Sequence, residues 1–304
     1  MLSYEAVVGA AARLAKTPVR KTPLVEIWEG VYCKLENTQV TGSFKARGAA
    51  NKVLQTKGSV VCHSAGNHGA AVAWAAKLRG VECTVVVPRT APEAKKALIR
   101  KFGAAIVETD HARRAQAVRE IVDRTGASMV HPFDDLDVIA GQGTLALELP
   151  DDLDAVVVPV SGGGLAAGIA TVLGGDKVFL VEPEGKGLGK ALAAGNRLLD
   201  PSMEPLAETI ADGMRSRALG ERPWGILSAK IPPSRVLSVS NEAILEAMAL
   251  TFQDLKTVCE PSGATALAAL LEHRDTIGAR RRIGLVVCGG NLDVPPMLRR
   301  FYRL

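Results

Sequence analysis

The chain has 304 residues, of which 47% are hydrophobic and 23% are charged, and its formal net charge is +5. This composition excludes a disordered chain, and the length predicts one or two domains. The basic clusters have no interleaved aromatic side chains, so a nucleic-acid-binding surface is disfavoured. These clusters are residues 280–282 and Arg299, Arg300 and Arg303.

The cysteines and the N-terminal segment indicate in which cellular compartment the protein resides. The cysteines show neither a C-x-x-C pair nor the spacing of a zinc site, which is typical of reduced thiols in a cytoplasmic protein. The N-terminal segment has the pattern of an amphipathic helix with charges throughout, and it lacks the core of a signal peptide. We therefore expect a cytoplasmic protein. The cysteines are Cys33, Cys62, Cys83, Cys259 and Cys288.

Short apolar strands alternate with amphipathic helices along the chain, which predicts a parallel α/β architecture. Helices are expected, among other places, at residues 68–78, 92–102 and 112–124. The expected strands are SVVCHS, CTVVVP, AAIVET, AVVVPVS, KVFLVEP, RVLSVS and IGLVVCGG. Three of them end in a polar turn that contains glycine, in HSAGNHG, VSGGGLAAG and VCGGN. Ligands of open α/β sheets bind at the carboxyl ends of strands, so these turns predict a shared site.

The segment TGSFKARGAANKV, residues 41–53, places one lysine at an unusual position. Gly42 and Ser43 form a helix-start signal that puts Lys45 in the first helical turn. A cation is disfavoured there because the N-terminal end of the helix dipole is positive. Two interpretations remain open from these residues alone. Either Lys45 and Arg47 belong to a solvated helix face, or Lys45 has a chemical role.

The segment AVVVPVSGGGLAAGIATVL is typical of a strand, a glycine turn and a helix. The N–H groups at such a helix start form a cradle for a phosphate. Gly162, Gly164 and Ala167 also fit the dinucleotide fingerprint, and Glu182 ends the next strand where a ribose-binding acid would lie. An NAD-dependent dehydrogenase is therefore one alternative. Glycines that only permit tight packing are another.

Other features of the chain favour a different cofactor. A dehydrogenase gives no reason for a helix-start lysine behind Gly-Ser-Phe, and it leaves the SAGNHG and CGGN turns without a role. A cofactor with one phosphate, one aldehyde and a small ring gives a role to the lysine and to all three glycine-containing turns. It needs a phosphate cradle, an amine and polar groups around the ring. That cofactor is pyridoxal phosphate.

Together the motifs resemble those of the fold-type-II pyridoxal-phosphate enzymes, in particular the serine/threonine dehydratase and serine racemase branch. The resemblance implies a two-domain, tryptophan synthase β-like α/β fold, in which each domain is an open, mostly parallel sheet flanked by helices. It also implies a large cofactor-binding domain of residues 1–55 and 138–304 and a small domain of residues 56–137. The motifs are TPL at 22–24, GSFKARGA at 42–49, SAGNHG at 64–69, IAGQGT at 139–144, SGGGL at 161–165, ADG at 211–213, EPSG at 260–263 and CGGN at 288–291.

The resemblance implies a role for most of these motifs. Lys45 would hold the cofactor as a Schiff base and later remove a proton from the substrate. Phe44 would pack on the ring, and Asn67 would hydrogen-bond the ring hydroxyl. The phosphate would be bound by the backbone amides of Ser161, Gly162, Gly163, Gly164 and Leu165.

The same resemblance places the substrate carboxylate at the start of the helix that follows SAGNHG. A helix start offers N–H groups and a positive dipole to an anion. We interpret the His68 side chain as a structural neighbour rather than an acid–base group. The residues that would receive the carboxylate are Ser64, Ala65, Gly66, Asn67 and His68.

Cys288 matches the position whose side chain faces the pyridine nitrogen. A thiol is a weak and neutral donor, so it does not hold a pyridinium as a carboxylate would. The ring is then a weaker electron sink, which favours elimination of a β-hydroxyl over transamination. The alternative is a buried apolar cysteine at the end of the strand.

The chain departs from its relatives at two places. Serine racemases typically have a serine where this chain has Ala65, and alanine has no proton to give to the second face of the substrate. Relatives that bind a divalent cation use two carboxylates after the VEP strand. Glu182 matches the first, but Leu188 takes the second position, with Lys186 between them. A lysine ammonium can replace the cation, so we expect no metal.

We therefore expect a pyridoxal-phosphate-dependent dehydratase, an ammonia-lyase that converts L-threonine or L-serine to a 2-oxo acid and ammonia. The alternatives within the family are a serine racemase and a dehydratase of 3-hydroxyaspartate or phenylserine. The substrate side chain is expected near residues 133–135 and 212–217. The expected partners are a small-molecule amino acid and further copies of the chain in a dimer or tetramer, with neither nucleic acid nor membrane.

Overall fold

The computed structural model describes residues 2–64, 66–197, 209–216, 218–277 and 281–292. Within these residues the chain is an α/β protein with two sheets. The strands are β1 Leu24–Trp28, β2 Val31–Leu35, β3 Val60–His63, β4 Cys83–Pro88, β5 Ala105–Thr109, β6 Ser128–Met129, β7 Ala155–Pro159, β8 Val178–Pro183, β9 Val236–Val239 and β10 Ile283–Val287. The helices are α1 Tyr4–Leu14, α2 Lys45–Gln55, α3 Asn67–Arg79, α4 Glu93–Lys101, α5 Arg114–Thr125, α6 Leu136–Gly143, α7 Gly164–Leu173, α8 Leu188–Ala193, α9 Glu221–Lys230, α10 Asn241–Leu255, α11 Pro261–Glu272 and α12 Arg274–Ile277.

The larger sheet has six strands in the order β1-β2-β10-β7-β8-β9, and the smaller sheet has four in the order β5-β4-β3-β6. Strand β1 is antiparallel to β2, and every other pair in the two sheets is parallel. All strands of the smaller sheet lie within the segment predicted as the small domain. The domain boundaries themselves stay a prediction. None of the described helices is long and apolar enough to cross a membrane.

Strand β7 explains why the larger sheet needs helices on both faces. All of its residues are buried, and successive side chains enter different clusters. Ala155 and Val157 pack into the cluster that includes α11, while Val156 and Val158 pack into the cluster that includes α7. Continuous apolar runs of this kind are typical of parallel strands that are covered on both sides.

All the predicted strands are present, but the sequence did not reveal the hairpin formed by β1 and β2. Its turn contains Gly30, which has a φ of +74°, a conformation that glycine adopts without steric cost. Charged residues hide the apolar pattern of these strands, and one of them, Lys34, is only 1% exposed. The hairpin adds two strands to one edge of the larger sheet.

The IAGQGT segment is a packing element that joins two functional parts of the fold. It lies in and directly after α6, which packs between α2 and α7. A Cβ at Gly141 would lie 2.6 Å from the Cα of Gly48 in α2, and a Cβ at Gly143 would lie 2.9 Å from the carbonyl oxygen of Gly168 in α7. The absence of side chains here lets the three helices approach closely.

Arg47 corrects one interpretation of the sequence, because it belongs to a buried ion network and not to a solvated helix face. It is 1% exposed. Its guanidinium donates to the carboxylate of Glu36 at 2.7 and 2.9 Å and to that of Glu148 at 2.6 and 3.0 Å. Lys34 donates to Glu148 at 2.5 Å. Two cations therefore balance two carboxylates, and the network attaches α2 to the end of β2.

We expect Arg47→Ala to lower the free energy of unfolding by about 3–5 kcal/mol, because it leaves Glu36 and Glu148 buried without their main partner. Denaturant unfolding followed by circular dichroism measures this loss. The matched control is Arg119→Ala on the exposed face of α5, which should change the same quantity by less than about 0.5 kcal/mol. Equal effects of the two substitutions would contradict the assigned role of the network.

Candidate active site

Helix α2 begins at Lys45, as predicted, and its start is tied to the end of β10. The N–H of Phe44 donates to the carbonyl oxygen of Cys288 at 3.1 Å, and Ser43 forms an antiparallel bridge with Gly289. The Ser43 hydroxyl does not cap the helix; it is buried and has no hydrogen-bond partner. The backbone contacts with β10 therefore take over the positioning of Lys45.

The Lys45 amine is enclosed by backbone and ring atoms. Its Nζ donates to the carbonyl oxygen of Pro132 at 2.7 Å and lies 4.9 Å from the centre of the Phe44 ring. Burial lowers the pKa of Lys45 to about 8, against a smaller opposing effect from Cys288. The direction agrees with the sequence argument, but the cause is burial rather than the helix dipole. A larger fraction of Lys45 is thus neutral, which suits a nucleophile or base.

The glycine turn after β7 leads directly into α7, which begins at Gly164. Gly163 has a φ of +92°, and a Cβ at Gly162 would lie 2.3 Å from Cδ1 of Phe133. Any side chain at either position would disrupt the turn. The first N–H groups of a helix have no partner within the helix, so the turn offers donors to an anion. Ser161 precedes the glycines, and the Leu165 side chain is buried behind them.

Asn67 opens helix α3 and is held from both sides. Its Nδ2 donates to Oε1 of Glu260 at 2.7 Å, and its Oδ1 accepts from Nδ2 of Asn291 at 2.8 Å. Asn291 also donates to the carbonyl oxygen of Thr41. The SAGNHG, EPSG and CGGN motifs thus meet in one hydrogen-bonded chain, which fixes the orientation of the Asn67 amide.

Glu260 lies beside a cavity of about 60 Å³ between the two sheets. Burial raises the pKa of Glu260 to about 7, the hydrogen bond from Asn67 acting in the opposite direction. Lys95 of α4 and Asp212 form an ion pair at the same cavity. The residues that line it are Gly66, Asn67, Lys95, Leu98, Asp212, Gly213, Glu260 and Asn291.

The residues predicted to receive the substrate carboxylate surround the start of α3. Gly66 takes the N-cap position, and its N–H donates to the hydroxyl of Ser64 at 3.2 Å. The His68 ring is buried and its Nε2 contacts the carbonyl oxygen of Val130 at 2.9 Å. Burial, with help from Lys45, holds the pKa of His68 well below its usual range. A neutral, buried ring is consistent with a structural role. Ala65 lies outside the described residues.

The Cys288 thiol is buried close to Lys45. Its Sγ donates to the carbonyl oxygen of Ser262 at 3.4 Å. Burial, and then the nearby Glu260, raise the pKa of Cys288 well above its usual value. The thiol is therefore neutral over the physiological range, as the argument for a weak donor requires.

Phe133, a member of the expected side-chain pocket, lies beside the glycine turn. Its ring packs on the glycine turn and against the edge of the His131 ring, with ring centres 4.8 Å apart. Asp134 and Asp135 serve other purposes. Asp134 accepts from the first N–H groups of α9. Asp135 caps α6 and pairs with Lys52. Of the second predicted stretch, Arg217 lies outside the described residues.

Glu182 is not placed to bind a ribose. It is 1% exposed, and both carboxylate oxygens accept from the N–H of Leu188, at 2.9 and 3.1 Å. The acid of the dinucleotide interpretation is thus engaged inside the fold. Among the described residues, no group of three or more metal-ligating side chains comes together.

Sequence reasoning did not assign roles to Glu260, Asn291 and Pro132. The signal for the first two was present, because EPSG and CGGN were already among the motifs. What the sequence did not contain is the distance between them. Pro132 contributes only a carbonyl oxygen, for which no side-chain pattern exists.

Comparison with known proteins identifies the family. The family model described as "Pyridoxal-phosphate dependent enzyme" matches residues 13–289. The chain is 36% identical to the beta-hydroxyaspartate dehydratase of Paracoccus denitrificans (strain Pd 1222), over 96% of this chain and 97% of that protein. The structure of maize serine racemase superposes with a TM-score of 0.91 at 34% identity, covering 99% of this chain and 97% of the other. The structure of the T.th. threonine deaminase gives a TM-score of 0.88 at 38% identity, with 97% and 100% covered.

The chain therefore belongs to the pyridoxal-phosphate-dependent enzymes, and its fold is that of the fold-type-II group. These comparisons confirm the predicted family, fold class and cofactor, and the enzyme class of a pyridoxal-phosphate-dependent lyase. They decide between the nicotinamide cofactor and pyridoxal phosphate in favour of the latter. The residues present fit that group, since Lys45 supplies an amine and the glycine turn a cradle that a Cβ would fill.

The raised pKa of Glu260 predicts a pH-dependent stability. Between its ordinary pKa of 4.5 and the folded value of about 7, the unfolded chain loses the proton that the folded chain retains. Stability is therefore lost as the pH rises through this window, by about 3 kcal/mol in total for this group. We expect Glu260→Gln, measured on protein freed of cofactor, to abolish most of that loss.

The measurement is the free energy of unfolding by denaturant at several pH values from 4 to 8. Glu246→Gln on the exposed face of α10 is the control, and it should leave the pH dependence of the parent protein unchanged. A Glu260→Gln profile parallel to that of the parent protein would show that Glu260 ionises normally in the fold.

Proposed function

We propose that this enzyme is an ammonia-lyase that converts a β-hydroxy amino acid, L-threonine or L-serine, to a 2-oxo acid and ammonia. The observation that supports it is that the site contains both a Lys45 amine of lowered pKa and a neutral thiol at Cys288. The first group is suited to proton removal. The second offers no charge with which to retain a pyridinium.

Pyridoxal phosphate, when bound, supplies an electron sink that acidifies the α-proton of an amino acid. Lys45 would hold the cofactor, and its Nζ would then take the α-proton, because a lowered pKa leaves a larger fraction of this amine unprotonated near neutral pH. The β-hydroxyl would take up a proton and leave as water, and the enamine that remains of the substrate would be hydrolysed to the 2-oxo acid and ammonia. The Phe44 ring would pack against the cofactor ring, and Asn67, oriented by Glu260 and Asn291, would donate to the ring hydroxyl.

The start of α3 and the glycine turn would bind the two anionic groups. Ser64 and the amides of residues 65–68 would receive the substrate carboxylate, and the amides of residues 161–165 would receive the phosphate. Phe133 presents an apolar ring next to the glycine turn. An apolar wall at that point favours the methyl group of threonine over a charged side chain.

One observation favours a second candidate, a dehydratase of 3-hydroxyaspartate. His131 lies near Lys45 and against the ring of His63, with ring centres 6.2 Å apart. Burial, and then the guanidinium of Arg114, lower the pKa of His63. The Arg114 guanidinium would attract a carboxylate on the substrate side chain, and the two imidazoles, whose lowered pKa favours the neutral form, would offer it N–H donors. The similarity to the beta-hydroxyaspartate dehydratase supports the same candidate.

The compartment and assembly are part of the proposal. The five free cysteines support a reducing, cytoplasmic location. A homo-oligomer, dimer or tetramer, rests on the family resemblance alone.

A panel of β-hydroxy amino acids tests the proposal. We expect 2-oxo acid and ammonia from L-threonine and L-serine, with kcat/KM for 3-hydroxyaspartate lower by at least about tenfold. Lys45→Ala should reduce turnover by at least about 10³-fold because it removes both the anchor and the base. Preference for 3-hydroxyaspartate, lost in Arg114→Leu while threonine turnover persists, would establish the second candidate. Absence of 2-oxo acid from every substrate would contradict a lyase.

The alanine at position 65 leads us to expect elimination rather than racemisation. Racemisation needs a proton donor on each face of the substrate, and Lys45 supplies only one. L-serine should therefore give pyruvate with almost no D-serine. By the family resemblance, Ala65→Ser would place a hydroxyl on the second face and should raise D-serine formation without abolishing elimination, since a positioned acid contributes about 10²–10⁴-fold.

Chiral chromatography of the products measures both rates in one assay. Ala65→Gly, which also lacks a hydroxyl, is the matched control and should not raise D-serine. Interconversion of the serine enantiomers by the parent enzyme as fast as elimination would contradict this role for position 65.

A further inference from the structure

Lys186 is a buried cation that the proposed reaction does not use. It is 1% exposed, although it lies in the turn after β8, directly behind Gly185. Its Nζ donates to the carbonyl oxygen of Val160 at 2.7 Å and to that of Ser161 at 2.9 Å. These are the two residues between the end of β7 and the first glycine of the turn. The ammonium therefore contacts the backbone that sets the direction of the glycine turn.

Packing alone does not explain a lysine at this position. Burial lowers the pKa of Lys186 to about 8, against the attraction of the Glu182 carboxylate. The fold thus disfavours the charge, and methionine, which is one atom shorter than lysine, would fill all of the space except the position of the ammonium nitrogen without that cost. What an apolar side chain cannot do is donate to both carbonyl groups at once.

We propose that the Lys186 ammonium is a built-in cation that holds the glycine turn in its phosphate-binding conformation, so that cofactor binding needs no added metal ion. Lys186 is a positioning residue, because it acts through the backbone of Val160 and Ser161. The proposal rests on the placement of the phosphate at this turn.

The surroundings of Lys186 support this role. Two carbonyl oxygens accept from its ammonium, and the Glu182 carboxylate attracts it. Glu182 is itself held by the N–H of Leu188 at 2.9 Å. Carbonyl and carboxylate oxygens are also the ligands that hard metal cations prefer. Removal of the lysine should therefore leave a pocket lined by oxygen atoms, which an added cation can occupy.

The test compares Lys186→Met with Lys190→Met, which removes an exposed lysine from the same segment. Each protein is freed of cofactor in a tetramethylammonium buffer, and pyridoxal phosphate is titrated while the visible absorbance of the bound form is followed. We expect Lys186→Met to raise Kd at least about tenfold, the effect of one lost charged donor. Potassium, ammonium or magnesium chloride should restore Kd to within about threefold of the parent value. Lys190→Met and the parent protein should bind equally well with or without these salts.

Three results would overturn the proposal: an unchanged Kd in Lys186→Met, a raised Kd that none of the salts restores, or a parent protein that itself needs the salts. Where Lys186→Met does not fold, Lys186→Gln keeps a donor without the charge and is judged by the same criteria. The titration contains no amino acid. Its outcome is therefore independent of which substrate, if any, the enzyme eliminates.

Discussion

The hydrogen bond from the Phe44 N–H to the carbonyl oxygen of Cys288 is the contact on which the site depends. It joins the start of α2 to the end of β10, from opposite ends of the chain. Through it the amine of Lys45 and the thiol of Cys288 lie at fixed positions relative to each other. The neighbouring bridge between Ser43 and Gly289 prevents rotation about that single bond. A helix cap by Ser43 would have oriented α2 but would not have located it.

A second constraint fixes α2 relative to the glycine turn. Helix α6 approaches α2 at Gly141 and α7 at Gly143, so closely that a Cβ at either position would meet backbone atoms within 3 Å. Because α7 begins at the turn, the distance between Lys45 and the turn is set by packed backbone rather than by side chains. The buried network around Arg47 then attaches α2 to β2. Both ends of a cofactor of fixed length can be held only where such distances are rigid.

The features that could be predicted from the sequence differ in their physical origin from those that could not. Strands with continuous apolar residues, the start of α2 at Lys45 and the glycine turn were all found, because each depends on neighbours in the chain. The hairpin, the burial of Arg47 and the contact between Asn67 and Glu260 were not found. Arg47 and Asn67 have partners far away in sequence, at Glu148 and Glu260. The hairpin is local, but the buried Lys34 hides its apolar pattern, since a charged residue at a buried position looks like a surface residue until its partner is known.

Burial shifts the titratable groups of the site towards their neutral forms. The two amines of lowered pKa, Lys45 and Lys186, contact the backbone before α6 and at the glycine turn, respectively. Burial also keeps Cys288, which lies close to Lys45, neutral and raises the pKa of Glu260 to about 7. The thiol therefore carries no charge at neutral pH, whereas the glycine turn has an ammonium against its backbone. A ligand with a phosphate and an uncharged ring nitrogen matches this arrangement. A pyridinium would lack a carboxylate of ordinary pKa to stabilise it, so the same distribution that favours the cofactor also favours elimination over reactions that need a stronger electron sink.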